Sequence, residues 1–268
     1  MPLLLPYYVL SAVLSLVTCL AEKWTGLTFV CLLLVLFLAY YVGLLALTVL
    51  IAWLLSLPVD KKKPQPTPSP FYQRVVHFAM GWITALSGIK MHVSGLEKMP
   101  EGRFLLVGNH RSNYDPIVTG WVLRNYGLAF ISKPENLRIP IVGGLIHKCS
   151  FMAIDRENDR EALKTILFAI DLLKRDAASV AVYPEGTRNT GAELLPFRNG
   201  AFKIAQKAKV PMVVAFIRGS EDVKKNIFRR RTHVYLEIRR VYSPEELASL
   251  STVEIGDEVR RCLMGESA

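Results

Sequence analysis

Phe104-Leu105-Leu106-Val107-Gly108-Asn109-His110-Arg111-Ser112-Asn113-Tyr114-Asp115-Pro116-Ile117-Val118 reads as a strand, a tight turn and the start of a helix. The apolar run 104–108 has strand character, and Asp115 before Pro116 is the pattern of an N-cap with proline at the first helical position. His110 therefore falls in the turn. Along a helix, five residues would rotate Asp115 about 140° away from His110; a turn brings the carboxylate back against the imidazole. An imidazole held by a carboxylate is a general base whose far nitrogen takes a proton from an alcohol. The competing reading is a local cap or turn hydrogen bond. No Ser or Cys stands in a nucleophile-elbow setting, which points to direct attack by an external hydroxyl without a covalent enzyme intermediate.

Outward from that stretch, short apolar runs recur at 92–94, 128–132, 151–154, 179–183, 212–217 and 233–238, with helical patterns at 116–124, 138–146, 159–175 and 200–208. Residues 159–175 are the clearest helix, with Leu163, Ile166, Leu167, Ile170 and Leu173 on one face. A further helix over 243–262 opens with Ser243-Pro244-Glu245-Glu246. Strands alternating with helices predict an α/β fold with a mixed or mostly parallel central sheet and flanking helices. No dinucleotide fingerprint or P-loop is present, so nothing points to a nucleotide cofactor.

A second polar turn, Pro184-Glu185-Gly186-Thr187-Arg188-Asn189, leaves the strand at 179–183, and ligands of open α/β sheets sit beyond the carboxyl ends of strands. Gly186 lets backbone amides approach an anion, Thr187 offers a hydroxyl and Arg188 a bidentate fork. Glu185 orients Arg188 or a hydroxyl-bearing substrate. Arg156 and Lys133 add cations at strand ends, either for an anion or for ion pairs with Asp155 and Glu135. Arg198-Asn199-Gly200 is another turn entering a helix, its amides available to an anion. His110 and Asp115 lack partner ligands at useful spacing, so no metal is expected.

The 268 residues carry a formal charge of +10, and residues 1–60 hold only Glu22, Lys23 and Asp60 as charges. Residues 1–21 and 24–59 are apolar, the second longer than the roughly 20 residues that cross a bilayer core. Either a hairpin of two spans turns at Glu22-Lys23, or the first stretch lies in the interface and the second alone crosses. The long stretch must tilt, extend into the interface or break near Gly43. Lys61-Lys62-Lys63 marks the cytoplasmic side. Four scattered cysteines fit a reducing compartment, with Cys19 and Cys31 as buried thiols. The organisation is a membrane-anchoring helical region at 1–60, a Pro/Lys-rich connector at 61–70 and an α/β domain at 71–268. Phe71 to Gly88 is a helix that either lies beside the lipid or packs into the domain. The basic residues lack the interleaved aromatics of a nucleic-acid binder, and no nucleic-acid partner is expected.

On these motifs the chain resembles the lysophosphatidic-acid acyltransferase family of glycerolipid acyltransferases. The His-four residues-Asp motif matches His110 to Asp115, and the Pro-Glu-Gly-Thr-Arg motif matches Pro184 to Arg188 unchanged. Phe197 to Phe202 is similar to the family's following turn, although Arg198 and Asn199 stand where Lys is common. Val210-Pro211-Met212-Val213-Val214 resembles its last motif. The Gly-x-x-Phe-x-x-Arg motif departs: Ser150 replaces the glycine and Ala153 the aromatic, while Arg156 is kept. The resemblance implies His110 and Asp115 as the catalytic pair, with Arg156 and the Glu185-Gly186-Thr187-Arg188 turn on the glycerol phosphate. It implies acyl transfer from acyl-coenzyme A or acyl carrier protein to lysophosphatidic acid at a membrane, with no bound cofactor and the catalytic domain on the cytoplasmic face. The alternatives are another lysophospholipid or lyso-aminolipid acceptor, or a non-enzymatic lipid-binding protein.

Overall fold

The run Leu105–Gly108 is a strand with all four residues buried, the pattern of a strand covered on both faces. The structure, a computed structural model, describes residues 2–155, 158–191, 193–226 and 231–265. The chain forms two compact units, Met1–Val59 and Asp60–Ala268.

In the larger unit the strands are β1 Ile89–Ser94, β2 Leu105–Gly108, β3 Leu128–Ser132, β4 Met152–Ala153, β5 Ser179–Val182, β6 Met212–Arg218 and β7 Thr232–Tyr242. They form one sheet in the order β1-β7-β6-β2-β5-β3-β4. Every neighbouring pair is parallel except β6 with β7, so the mixed, mostly parallel sheet expected from sequence is the one observed. The carboxyl ends of β2, β3, β5 and β6 consequently share one edge.

The helices are α1 Leu5–Ala21, α2 Gly26–Ser56, α3 Pro70–Leu86, α4 Asp115–Val122, α5 Pro134–Arg138, α6 Val142–His147, α7 Asp159–Lys174, α8 Lys203–Ala208, α9 Val223–Asn226, α10 Pro244–Ala248 and α11 Thr252–Met264. One sheet face is covered by α7, α8, α10 and α11, which bury Leu172, Ile204, Leu247 and Val259 against Leu105, Val107 and Val180. The other face buries Val118 of α4 and Val223 of α9 against Leu106, Phe130 and Ile217. The α7 helix starts at Asn158, whose side chain accepts from the amides of Arg160 and Glu161. The α3 helix packs against α4 and α6 and buries Val76, Met80 and Thr84, leaving Phe71 and Phe78 exposed.

Three expected helices differ in detail. The single helix expected at 138–146 is two, α5 and α6, separated around Pro140, which cannot donate within a helix. The helix expected over 243–262 is also two, because Ser251 and Glu254 form a second capping box after that of Ser243 and Glu246. Asp115 is the first helical residue, and the N-cap is Tyr114.

The smaller unit holds α1 and α2. At about 1.5 Å per residue, the 31 residues of α2 span about 46 Å, against a hydrocarbon core of about 30 Å. Among the described residues α2 is the one helix long and apolar enough to cross a membrane, and it runs unbroken through Gly43. The 17-residue α1 lies against it, tied by Tyr7 to Thr48 at 2.8 Å and Thr18 to Tyr40 at 2.9 Å. Cys19 is buried, whereas Cys31 is exposed on α2, which buries no residue.

Gly108 closes β2 opposite Ala215 of β6. A Cβ there would stand 2.6 Å from the Ala215 carbonyl oxygen, so the strands can pair this closely only with glycine. Gly108→Ala should therefore lower the unfolding free energy by about 1–3 kcal/mol, the usual range for overpacking, measured by urea denaturation.

Candidate functional site

The turn leaving β2 is folded around the Asp115 side chain, which is completely buried. Its Oδ2 accepts from the amides of Arg111 at 2.6 Å and Ser112 at 2.7 Å, and lies 2.8 Å from His110 Nδ1. Its Oδ1 accepts from the hydroxyl of Ser220, 105 residues away in the turn after β6. Because a carboxylate only accepts, this geometry assigns the imidazole proton to Nδ1 and leaves Nε2 with a free lone pair. The His110 side chain is 18% exposed and lines a cavity.

The imidazole is fixed from a second side by Tyr183, at the end of β5. Its ring stacks on His110 with centroids 4.5 Å apart and planes 9° from parallel. Burial first, and the nearby Asp115 charge second, push the Tyr183 phenol well above its ordinary pKa, so the ring facing His110 is neutral. Asn109 extends the sheet by side chain: its Oδ1 and Nδ2 bond the amide and carbonyl of Ile217, both at 2.8 Å.

Glu185 is buried and belongs to the framework. One carboxylate oxygen accepts from the His110 amide at 2.9 Å, and the other accepts from the Leu195 amide and the Asn189 side chain. It thereby binds the β2 turn to the β5 loop, and the Asn189 amide returns a bond to the His110 carbonyl at 2.7 Å. Gly186 has φ +73°, a conformation that glycine adopts without strain, and lets the chain reverse after Tyr183. Arg111 braces the far side of the loop, bonding Glu221 at 2.7 Å and the carbonyls of Thr190 and Gly191.

The cavity has a volume of about 500 Å³. Its polar half presents His110 with Lys133, Arg188 and Arg198; none of these three cationic side chains has a partner among the described residues. Asp159 adds one carboxylate, so cations outnumber it three to one and favour an anion. Its other half is apolar, walled by Ile131, Ile154, Ile166, Val182 and Ile204.

Of the residues expected from sequence, the structure brings His110, Lys133, Gly186 and Arg188 to one cavity, with Asp115 behind His110. Glu185 faces the framework, Thr187 is exposed without lining the cavity, and Arg156 lies outside the described residues. Ser220, Tyr183 and the Arg198 side chain were not assigned to the site from sequence. The departure at Ser150 has a backbone explanation. Ser150 has φ +57°, the conformation for which glycine is the default, and its hydroxyl donates to the Gln65 carbonyl at 2.9 Å. Phe151, just before β4, supplies an aromatic against Phe130 at 5.3 Å.

The site thus combines a His-carboxylate pair, three cations without a partner among the described residues, and an apolar slot. The family model "Acyltransferase" matches residues 90–218. The chain is 27% identical over 193 residues to the 1-acyl-sn-glycerol-3-phosphate acyltransferase of Saccharomyces cerevisiae, covering 67% of this chain and 63% of that protein. It is 32% identical over 134 residues to the enzyme of that name from Haemophilus influenzae, covering 50% and 55%. These matches span between about half and two thirds of the relatives' lengths. The fold is similar to the crystal structure of the 1-acyl-sn-glycerophosphate (LPA) acyltransferase PlsC from Thermotoga maritima, with TM-score 0.57, 24% identity, and coverage of 72% of this chain and 79% of that one. Over the segment that carries both turns, the chain is therefore similar to the 1-acyl-sn-glycerol-3-phosphate acyltransferases.

Ser220→Ala leaves Asp115 Oδ1 buried without this donor. Its unfolding free energy should fall by about 1–3 kcal/mol, the cost of an unsatisfied buried acceptor, measured by urea denaturation.

Proposed function

We propose that the chain transfers an acyl group from acyl-coenzyme A or acyl carrier protein to the sn-2 hydroxyl of lysophosphatidic acid, forming phosphatidic acid. The observation that carries this reading is the alignment of the His110 ring, held through Nδ1 by Asp115, with a cavity that has three unpaired cations and an apolar wall. His110 Nε2 removes the hydroxyl proton as the oxygen attacks the thioester carbonyl carbon. Asp115 stabilises the imidazolium that forms. Collapse of the tetrahedral intermediate breaks the carbon–sulfur bond, and the departing thiolate takes the proton from Nε2. The enzyme is returned unchanged, with no acyl-enzyme.

In this reading Lys133, Arg188 and Arg198 hold the acceptor phosphate by charge-assisted hydrogen bonds, and Arg156 joins them through its motif. Gly186 and Glu185 shape the turn that presents Arg188, and Thr187 is available to the phosphate from the turn's exposed side. The apolar half of the cavity takes the start of an acyl chain. The substrates are membrane lipids, and α1 with α2 forms a two-helix hairpin anchor. Lys61-Lys62-Lys63 places the catalytic unit on the cytoplasmic face of the cell membrane.

Purified full-length protein in vesicles should convert labelled acyl-coenzyme A or acyl carrier protein and lysophosphatidic acid to phosphatidic acid. His110→Ala should lose about 10²–10⁴-fold in turnover, the usual contribution of a general base. Arg188→Ala should raise KM for lysophosphatidic acid about tenfold or more while sparing a neutral lyso-acceptor, consistent with a lost charge-assisted bond. Wild-type kinetics in both folded variants would refute the assignment.

A further inference from the structure

Between α5 and α6 the chain makes an exposed apolar tip, Ile139-Pro140-Ile141-Val142. Ile139 is 44% exposed and Val142 42%, although both are large aliphatic side chains. The tip is not a loose loop. Ile141 has φ +65° and ψ −65°, and the Val142 amide donates to the Pro140 carbonyl at 2.7 Å, closing a three-residue γ-turn. The Gly143 amide donates to the Ile139 carbonyl at 2.9 Å, and a Cβ on Gly143 would run into the Leu137 carbonyl oxygen. Pro140 has no amide hydrogen to satisfy. The tip therefore offers apolar side chains while bonding much of its own backbone internally, the condition for leaving water for lipid.

Its surroundings identify the partner. Lys61 donates to the Leu137 carbonyl at 3.0 Å, at the base of the tip, and Arg138 beside it is exposed. The following residues are laced along α6: His147 bonds the Lys63 carbonyl at 3.0 Å, and Lys148 bonds the Gln65 side chain at 3.1 Å. The tip thus shares its location with the basic run Lys61-Lys62-Lys63, which in the chain directly follows the apolar helix α2. Exposed aliphatic residues ringed by cations match the boundary between anionic headgroups and acyl chains.

We propose that the Ile139–Val142 turn dips into the anionic leaflet and holds the cavity mouth against it. This rests on the lysolipid acyltransferase reading above. Lys61 bonds the base of the tip at Leu137, so a cation suited to anionic headgroups and the aliphatic side chains lie on one patch. The connection to the site is short: α5 has Lys133 at its N-cap and Asn136 in its middle, both lining the cavity, and the Ile139 amide bonds the Asn136 carbonyl. Three residues, about 4.5 Å of helical rise, separate the residue at the lipid from the residue at the cavity wall. A lysolipid rising from the leaflet beside the tip meets the cavity cations without crossing bulk water.

The test uses full-length protein in vesicles of phosphatidylcholine and phosphatidylglycerol, with photoreactive benzoylphenylalanine at position 139, at 142, or at the exposed Ser249 directly after α10. Lipid adducts should form at 139 and 142 and not at 249. Independently, the double variant Ile139→Asp with Val142→Asp should lose about tenfold turnover on vesicle-borne lysophosphatidic acid, and keep wild-type turnover within twofold on a short-chain acceptor dissolved as monomers, because only the lipid contact is removed. Adducts at 249 equal to those at 139 and 142, or equal loss on both acceptors, would overturn the proposal. Adducts from the 139 and 142 variants, with the wild-type protein inactive on every lyso-acceptor, would leave the tip standing and remove the activity.

Discussion

A carboxylate removed from water is the constraint on which the site depends. Asp115 is wholly buried, a placement that is costly for a charge unless donors surround it. Here four donors converge: the amides of Arg111 and Ser112, the Ser220 hydroxyl and the His110 ring. The same bonds that make the burial tolerable fold the turn after β2 back on itself and bring His110 to Asp115 despite Asp115 being the first residue of α4. The imidazole is held through Nδ1, and His110 lines the cavity.

A second buried carboxylate sets the neighbouring loop in register. Glu185 bonds the His110 amide with one oxygen and the β5 loop with the other. Because Glu185 is used up in the framework, it does not neutralise Arg188, and the cavity keeps its positive character. Strand order makes both arrangements possible. With β6, β2 and β5 adjacent, the turns carrying Ser220, His110 and Glu185 leave the sheet side by side at one edge. The candidate site is thus assembled from backbone turns held by buried carboxylates, while Lys133, Arg188 and Arg198 have no partner among the described residues.

Much of this was legible before any coordinates. Strands such as 104–108 and 179–183 announce themselves as apolar runs between polar turns, and the His110 and Gly186 turns follow them directly. The local chemistry, a His near an Asp and an Arg beside a Gly, is written in consecutive residues. What escaped was long-range. Ser220 touches Asp115 only because β6 lies next to β2, an adjacency that strand–helix alternation does not specify, and Tyr183 reads as the last residue of a strand until its ring is seen over His110. Glu185 suggested a partner for Arg188 because the two are close in sequence; its actual partners are backbone amides of other segments. Pro140 and Ser251 did carry local signals, a helix breaker and a second capping box, that divide helices otherwise continuous in their apolar pattern.

The Ser150 conformation shows how a family motif becomes physical. Ser150 takes the positive φ for which glycine is the default, and its hydroxyl gains a bond to Gln65. The change is accommodated in the turn before β4. The proposal that His110 acts as a base requires Asp115 to fix the ring proton on Nδ1 and leave Nε2 unprotonated. Nitrogen-15 NMR of histidine-labelled full-length protein above the imidazole titration, with His110→Gln to assign the signals, measures this directly. The account predicts a protonated, pyrrole-like Nδ1 and an unprotonated, pyridine-like Nε2 for His110. A proton on Nε2, or rapid exchange between the two tautomers, would contradict it.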